Sequence, residues 1–525
     1  MSKVIRAEDV RDHIKDGSTI YATGFALAGM AEEVNIALEK SFLETGHPRD
    51  LTIMWATGGG NFEGLGMGHY AHEGMIKRII AGHYRSAGTE ICRLARENKY
   101  EAYNLPQGVL VTICRNIAAC RPGVITKVGL GTFVDPRVGG GKINQKAKEG
   151  EDFVKVIEIG NEEWLHYTVP KIDVALIRGS VADENGNISV YREGVILDWL
   201  SAAQAAKASG GIVIAQVEHI VKEGTLHPKD VRVPGILVDY IVVGKAENHK
   251  QNGGTYFSPA YNGDIKVPIN AFKPMMLNER KIVARRAIME LSPGAVVNLG
   301  IGMADGIAVV AAEENVSHYM HMTTESGAIG GVPVQGRLDF GHSINADSFI
   351  ETPYQFDYYD GGGLDVAFLG AAEIDRFGNV NVSQLGNEPI GCGGFINITQ
   401  NAKSLVYCGT FTAGGLDIKI EDGKQNILKE GKSKKFINDV EQITFSGKYA
   451  VSIGQPVLYV TERAVFQLTE EGLELIEIAP GVDLQKDILQ LMEFKPIVRN
   501  VKSMPQEIFL EEWGRLADLI ESKNE

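Results

Sequence analysis

Five cysteines in 525 residues (Cys92, Cys114, Cys120, Cys392 and Cys408) are too few and too irregular for a disulfide framework. The odd count and the absence of any Cys-x-x-Cys pair fit reduced thiols in a cytosolic protein. Positive charge is also short. Against 67 acidic residues stand 52 lysines and arginines, a net charge of −15. No basic patch is interleaved with aromatics, which argues against nucleic acid as the main partner. No uninterrupted apolar run approaches the roughly 18–20 residues that a membrane span needs. The first residues are charged from Lys3 and lack an apolar signal core. These absences predict a cytoplasmic protein with no membrane partner.

Glycine is what the chain has in excess: 61 residues, about 12% against a usual value of about 7%. The glycines form short clusters between apolar runs, as at Gly58–Gly60, Gly139–Gly141, Gly361–Gly363 and Gly391–Gly394. That placement suits strand-to-helix turns that meet a ligand, because a residue without Cβ lets another molecule approach the backbone. The length exceeds what one core supports, so at least two domains are expected.

Buried strand patterns alternate with helical ones. Ser18–Gly24, Leu51–Thr57, Gly211–Val217 and Ile236–Val243 read as strands, and Ala31–Thr45 as a helix. This alternation predicts an α/β fold of two related open domains, each with a largely parallel sheet flanked by helices. The relation shows as a repeat. Asp173–Val190 aligns without gaps on Asp365–Val382, with seven of 18 positions identical. Each copy reads as strand, Asp-x-x-Gly-Asn turn and strand, with Gly-Asn supplying positive φ. Thr19–Gly29 similarly echoes Val296–Ala304. The seam is expected near 267–274, dividing the chain into 1–272 and 273–525. Asn278–Leu291 then opens the second half as an amphipathic helix.

Among candidate motifs, Gly300-Ile-Gly302-Met-Ala-Asp305-Gly306 follows a strand and precedes a helix. A dinucleotide fingerprint needs Gly or Ala where Asp305 stands, so the turn is read as an anion or carbonyl site rather than an NAD site. His69/His72 and His318/His321 have ligand-like spacing but no third ligand or zincin signature, so packed or solvated histidines are expected and no metal. No Walker motif or Gly-x-Ser-x-Gly elbow occurs. What remains is Glu325, in His321-Met-Thr-Thr-Glu-Ser-Gly-Ala-Ile-Gly-Gly331. A lone carboxylate among glycines suits covalent nucleophilic catalysis. With an ordinary pKa of about 4.3 it is ionised at neutral pH and needs no general base. One chemistry open to it is attack on a thioester carbonyl, given oxyanion donors from backbone N–H groups or a side-chain amide.

Across essentially its whole length the sequence resembles the family I CoA-transferases, and within them the propionate/acetate branch. The likeness is carried by Asn104–Leu110, Gly131–Pro136, Asn298–Gly302, Thr324–Gly331, Gln355–Gly363, Gly391–Asn397, Cys408–Gly415 and Tyr459–Val465. It implies CoA transfer from a short-chain acyl-CoA to a carboxylic acid by a ping-pong route through a glutamyl-CoA thioester. Glu325 then holds the position of the catalytic glutamate. Gln107 and Asn298 match active-site amides, and Gly394 matches an oxyanion N–H. Gly300, Gly302 and Gly393 are expected against CoA. The resemblance implies no metal or redox cofactor and a homodimer or homotetramer. Ketoacid-specific relatives have Ser-Glu-Asn-Gly where this chain has Thr324-Glu325-Ser326-Gly327, and a lysine where it reads Asp347–Glu351. An acyl-CoA hydrolase, a ketoacid or aryl-acrylate CoA-transferase, and a non-catalytic sensor on the same fold are the alternatives.

Overall fold

A computed structural model describes residues 3–268, 274–334, 336 and 338–524. Two large sheets carry the fold. The first contains β1 (Val4–Ile5), β2 (Thr19–Ala22), β3 (Leu51–Gly58), β4 (Ile76–His83), β5 (Glu101–Asn104), β6 (Val174–Arg178), β7 (Ile212–Val217) and β8 (Tyr240–Val243). Its spatial order is β1-β8-β7-β6-β2-β3-β4-β5, and every pairing is parallel. The near-continuous apolar strands follow from this, since a parallel sheet is covered on both faces. Ile53, Met54, Ile79, Ile80, Val213 and Ile214 are all fully buried.

The second sheet has ten strands: β9 (Ala295–Leu299), β10 (Met320–Thr323), β11 (Ala328–Ile329), β12 (Ser348–Phe349), β13 (Val366–Gly370), β14 (Leu405–Cys408), β15 (Val457–Val460), β16 (Ala464–Thr469), β17 (Gly472–Ile478) and β18 (Ile497–Ser503). They lie in the order β12-β11-β10-β9-β13-β14-β15-β16-β17-β18. The inner run from β10 to β15 is parallel, and antiparallel pairs flank it on both sides. Helices cover both sheets, so the chain forms the α/β fold that its strand–helix alternation predicts. No described helix is long and apolar enough to cross a membrane.

The repeat is structural down to single hydrogen bonds. Asp183 Oδ1 accepts from the N–H groups of Asn185 and Asn187, and its Oδ2 from the Asn187 side chain. Asp375 does the same with Phe377 and Asn379. Asp173 caps the start of β2 through Thr19 N–H, as Asp365 caps β9 through Val296 N–H, both at 2.8 Å. Registers match as well: Ile20 pairs with Val174, and Val297 with Val366. One detail corrects the sequence reading. Only the glycines of the two turns, Gly186 and Gly378, have positive φ (88° and 76°). The asparagines instead return their side chains to the aspartates.

Two other expectations are corrected. The run Ile236–Val243 is strand only from Tyr240. Pro234 leads into a short 3-10 turn at Gly235–Leu237, and Asp239 turns its carboxylate to the Val213 N–H. The helix Glu279–Ile288 is not amphipathic: every residue from Lys281 to Ile288 is buried. Its cations are accommodated in pairs, Lys281 with Glu313 and Arg286 with Glu477 and Glu290, while Arg285 donates to carbonyls of Ile508 and Glu511. The chain's last segment thus covers the face that the charges suggested was wet. The expected boundary at 272/273 lies outside the described residues.

Candidate active site

The ends of the two parallel sheets face each other, and ligands of α/β folds bind at carboxyl ends of strands. Here both sheets contribute. A cavity of about 550 Å³ is lined from the first half by Phe25, Gly58, Phe62, His83, Ser86 and Gln107. From the second half come Gly300, Glu325, Gly370 to Ala372, Gly391 to Phe395 and Lys435.

Glu325 sits in a tight turn between β10 and β11, closed by the Gly327 N–H to the Thr324 carbonyl at 3.1 Å. Thr324 and Ser326 bond to each other at 2.9 Å, and Ser326 also donates to the Gly341 carbonyl. The flanking residues are therefore fixed while the glutamate is left to the cavity. Gly327 has φ of 103°, and a Cβ there would lie 2.0 Å from the Ile350 carbonyl oxygen, so only glycine fits. The Glu325 carboxylate makes no hydrogen bond or ion pair among the described residues. Burial without a compensating partner raises its pKa to about 7. This corrects the expectation of an ordinary, fully ionised carboxylate: sequence spacing does not reveal how closely the protein encloses Glu325.

Gly394 packs directly on that carboxylate. A Cβ on Gly394 would stand 2.7 Å from Glu325 Oε2. The Gly394 N–H has no acceptor among the described residues. Gln107 opens the helix α1 (Gln107–Ala118), preceded by Pro106, and is buried. Its Nε2 has no hydrogen-bond partner. Two unspent donors, one backbone and one side chain, thus line the cavity with one unpartnered carboxylate.

The donor from the first half is locked to the second by main-chain bonds. Gln107 N–H donates to the Gly393 carbonyl at 2.9 Å, and Gly393 N–H to the Gly82 carbonyl at 2.7 Å. The side chain of Asn397, on α2 (Phe395–Asn401), accepts from Gly108 N–H at 3.1 Å. Asn397 in turn donates to both oxygens of Asp360, whose pKa burial raises to about 7. Gly393 lines the cavity, yet both of its backbone polar groups are used across this seam. Gly300 lines the cavity too, with its N–H given to Phe368. Gly302 is exposed, bonds to Asp305 at 3.4 Å and lies outside the cavity wall.

Asn298, at the end of β9, lines a second space of about 30 Å³ on another side of Glu325, with Phe25, Thr323, Val334 and Phe340. Its Nδ2 donates to Tyr359 Oη at 3.3 Å, and Tyr359 donates to Thr323 Oγ1 at 2.8 Å. Tyr359 was not foreseen, since nothing local ties a helical tyrosine to a turn 36 residues away. Cys392 also lines the cavity, and burial pushes its thiol well above the ordinary range, against a reactive role. The His69/His72 pair is packed: His69 lies between Glu32 and Glu39, and His72 bonds to Glu39. Among the described residues no group of three or more His, Cys, Asp or Glu side chains is placed to hold a metal.

The chain is similar to known proteins over nearly its whole length. Residues 4–244 match the family model described as Coenzyme A transferase. Caffeate CoA-transferase of Acetobacterium woodii is 48% identical over 522 residues, 98% of this chain and 99% of the relative. Acetate CoA-transferase YdiF of Escherichia coli (strain K12) is 44% identical over 511 residues, 97% of this chain and 95% of the relative. A crystal structure of acyl-CoA transferase YdiF from E. coli O157:H7, a thioester complex with CoA, superposes with a TM-score of 0.91. It is 42% identical and covers 98% of this chain and 97% of its own.

Proposed function

We propose that this chain, which belongs to the family I CoA-transferases, moves CoA from a short-chain acyl-CoA to a free carboxylic acid through a glutamyl-CoA thioester on Glu325. The Glu325 carboxylate attacks the acyl carbonyl and the C–S bond breaks, giving an acyl-glutamyl anhydride and CoA thiolate. The thiolate attacks the glutamyl carbonyl, releasing the first acid and leaving glutamyl-CoA. A second carboxylate attacks that thioester. CoA thiolate leaves again, attacks the new acyl carbonyl and departs as the product, restoring Glu325. The scheme needs no metal or redox group.

The observation that carries this reading is the unpartnered Glu325 carboxylate packed against Gly394, with the free donors of Gly394 and Gln107 in the same cavity. Such donors stabilise oxyanions that form along the route. The thioester complex recorded for a relative 42% identical supports the covalent step. The likeness to acetate CoA-transferase YdiF is what supports a short acid such as acetate, propionate or butyrate. We also assign Glu325 and Asn298 to one domain, 273–525, and Gln107 to the other, 1–272.

Mass spectrometry after incubation with acetyl-CoA tests the reading. The expected result is a CoA adduct on the peptide containing Glu325, absent from Glu325→Ala and discharged by added carboxylate. Discharge at the same rate without any acid would make the protein a hydrolase instead. Competition between acetate and caffeate as acceptors tests the acid, and preference for caffeate would overturn the short-chain assignment.

A further inference from the structure

Lys435 is the feature of the cavity that the reaction above leaves unused. It is the single lysine or arginine among the described residues that line it. Its side chain lies over the end of β14, where a Cβ on Gly409 would be 2.8 Å from Nζ, with the Ala371 carbonyl beside it. Its own backbone is fixed, the carbonyl accepting from Ile374 N–H at 2.8 Å. Lys435 makes no hydrogen bond or ion pair with its side chain among the described residues. The nearest acid influencing it is Glu462, whose carboxylate is already occupied by Phe411 N–H and Arg463. Burial disfavours this ammonium, which makes an unpaired cation here costly unless a ligand uses it.

Position supplies the second half of the argument. The cavity runs along the carboxyl ends of successive strands. Glu325 follows β10, Gly300 follows β9, Gly370 ends β13, and Gly409 with Lys435 marks β14. Three inter-strand spacings separate the glutamate from the lysine, about 14 Å across the sheet. That is comparable to the reach of a pantetheine arm from its thiol to the phosphate at its other end. The protein's net charge of −15 repels a polyanionic nucleotide, so a fixed local cation is needed where the phosphates sit.

We propose that Lys435 binds the pyrophosphate of CoA, and so sets the thiol at Glu325 by fixing the far end of the arm. The assignment rests on the transferase reading and deepens it. Contacts remote from the reacting centre lower the barrier when their binding energy holds that centre in place.

The test compares acetyl-CoA with S-acetylpantetheine, which has the same thioester and arm but no phosphate. Lys435→Met is expected to lower kcat/KM for acetyl-CoA about ten- to a hundred-fold, the value of one charge-assisted contact. The same substitution is expected to leave acetylpantetheine unaffected, and Lys435→Arg to retain most of the activity with acetyl-CoA. An equal fall on both thioesters, or no fall on acetyl-CoA, overturns the assignment. Adduct formation on Glu325 is followed in the wild-type protein in the same series. A normal adduct with an indifferent Lys435→Met removes only the lysine's role, whereas no adduct on wild type removes the transferase reading and this inference together.

Discussion

Glu325 is held in a state that an exposed glutamate does not adopt, and two measurable consequences follow. With its pKa raised to about 7, half of the ligand-free protein carries a neutral, non-nucleophilic Glu325 at that pH. The rate constant for adduct formation at low acyl-CoA is therefore expected to rise with pH and level off above about 7. A midpoint near 4.5 would show instead that the carboxylate is solvated. Stability responds in the opposite sense. An unfolded glutamate ionises near its usual pKa while the folded one keeps its proton up to about 7, so the fold loses stability as pH rises across that window. Glu325→Gln removes the ionisable group. It is expected to be more stable than wild type at pH 8 by about 1–3 kcal/mol, and level with it near pH 4. Thermal unfolding of both proteins at the two pH values checks this. Glu325 stood out in the sequence because its glycine neighbours are local. Its enclosure did not, because Gly394, which packs on the carboxylate, comes from a distant element.

Elements position the donors, and the first turn of α1 shows how tightly. Propensity alone says that Gly108, inside a helix, costs about 1 kcal/mol relative to alanine. The packing says the reverse. A Cβ at Gly108 would meet Asn397 Nδ2 at 2.4 Å and Phe356 Cδ1 at 2.6 Å, and those side chains are fully buried. Gly108→Ala is therefore expected to destabilise by about 1–3 kcal/mol, the usual cost of overpacking, and to slow adduct formation by displacing Gln107. A stabilised variant would mean that the Asp360–Asn397–Gly108 chain of hydrogen bonds yields easily. At this scale the sequence was most readable where chemistry is local. The Asp-x-x-Gly-Asn turns were recognisable because aspartate, glycine and asparagine bond within five residues. The helix Glu279–Ile288 was misread because its lysine and arginines find partners up to 226 residues away. Lys435 escaped notice for the same reason: no motif surrounds it, and only strand order brings it to the cavity that holds Glu325.

The whole molecule is a duplication in which one half carries Glu325, the nucleophile of the proposed mechanism. Tyr21 pairs across to Met54 as Asn298 pairs to Thr323. Two residues beyond those partners stand Ala56, in a strand that runs on to Gly58, and Glu325, in a turn. The first half thus lacks the carboxylate and instead contributes Gln107 to the cavity that holds its sister's, so under the proposed mechanism activity depends on the seam between them. That seam is main chain on main chain: Ile390 O accepts from Tyr84 and Arg85, and Gly393 is bonded to both Gly82 and Gln107. Gly391 lies at its centre with φ of 99°, where a Cβ would come within 2.6 Å of His83 Cα. Gly391→Ala must push the halves apart, moving Gly394 and Gln107 relative to each other. A displacement of about 1 Å in a reacting geometry costs about a hundred-fold in rate. The suitable control is Gly294→Ala, which has φ of 75° but nothing within 4 Å of the new Cβ. It carries a left-handed backbone penalty of about 1–2 kcal/mol without touching the seam. Adduct formation on Glu325 is expected to fall about a hundred-fold in Gly391→Ala and to be unchanged in Gly294→Ala, although both carry the left-handed backbone penalty. Equal rates in the two variants would mean that the halves tolerate separation, and that the site is assembled by the bound ligand rather than by the seam.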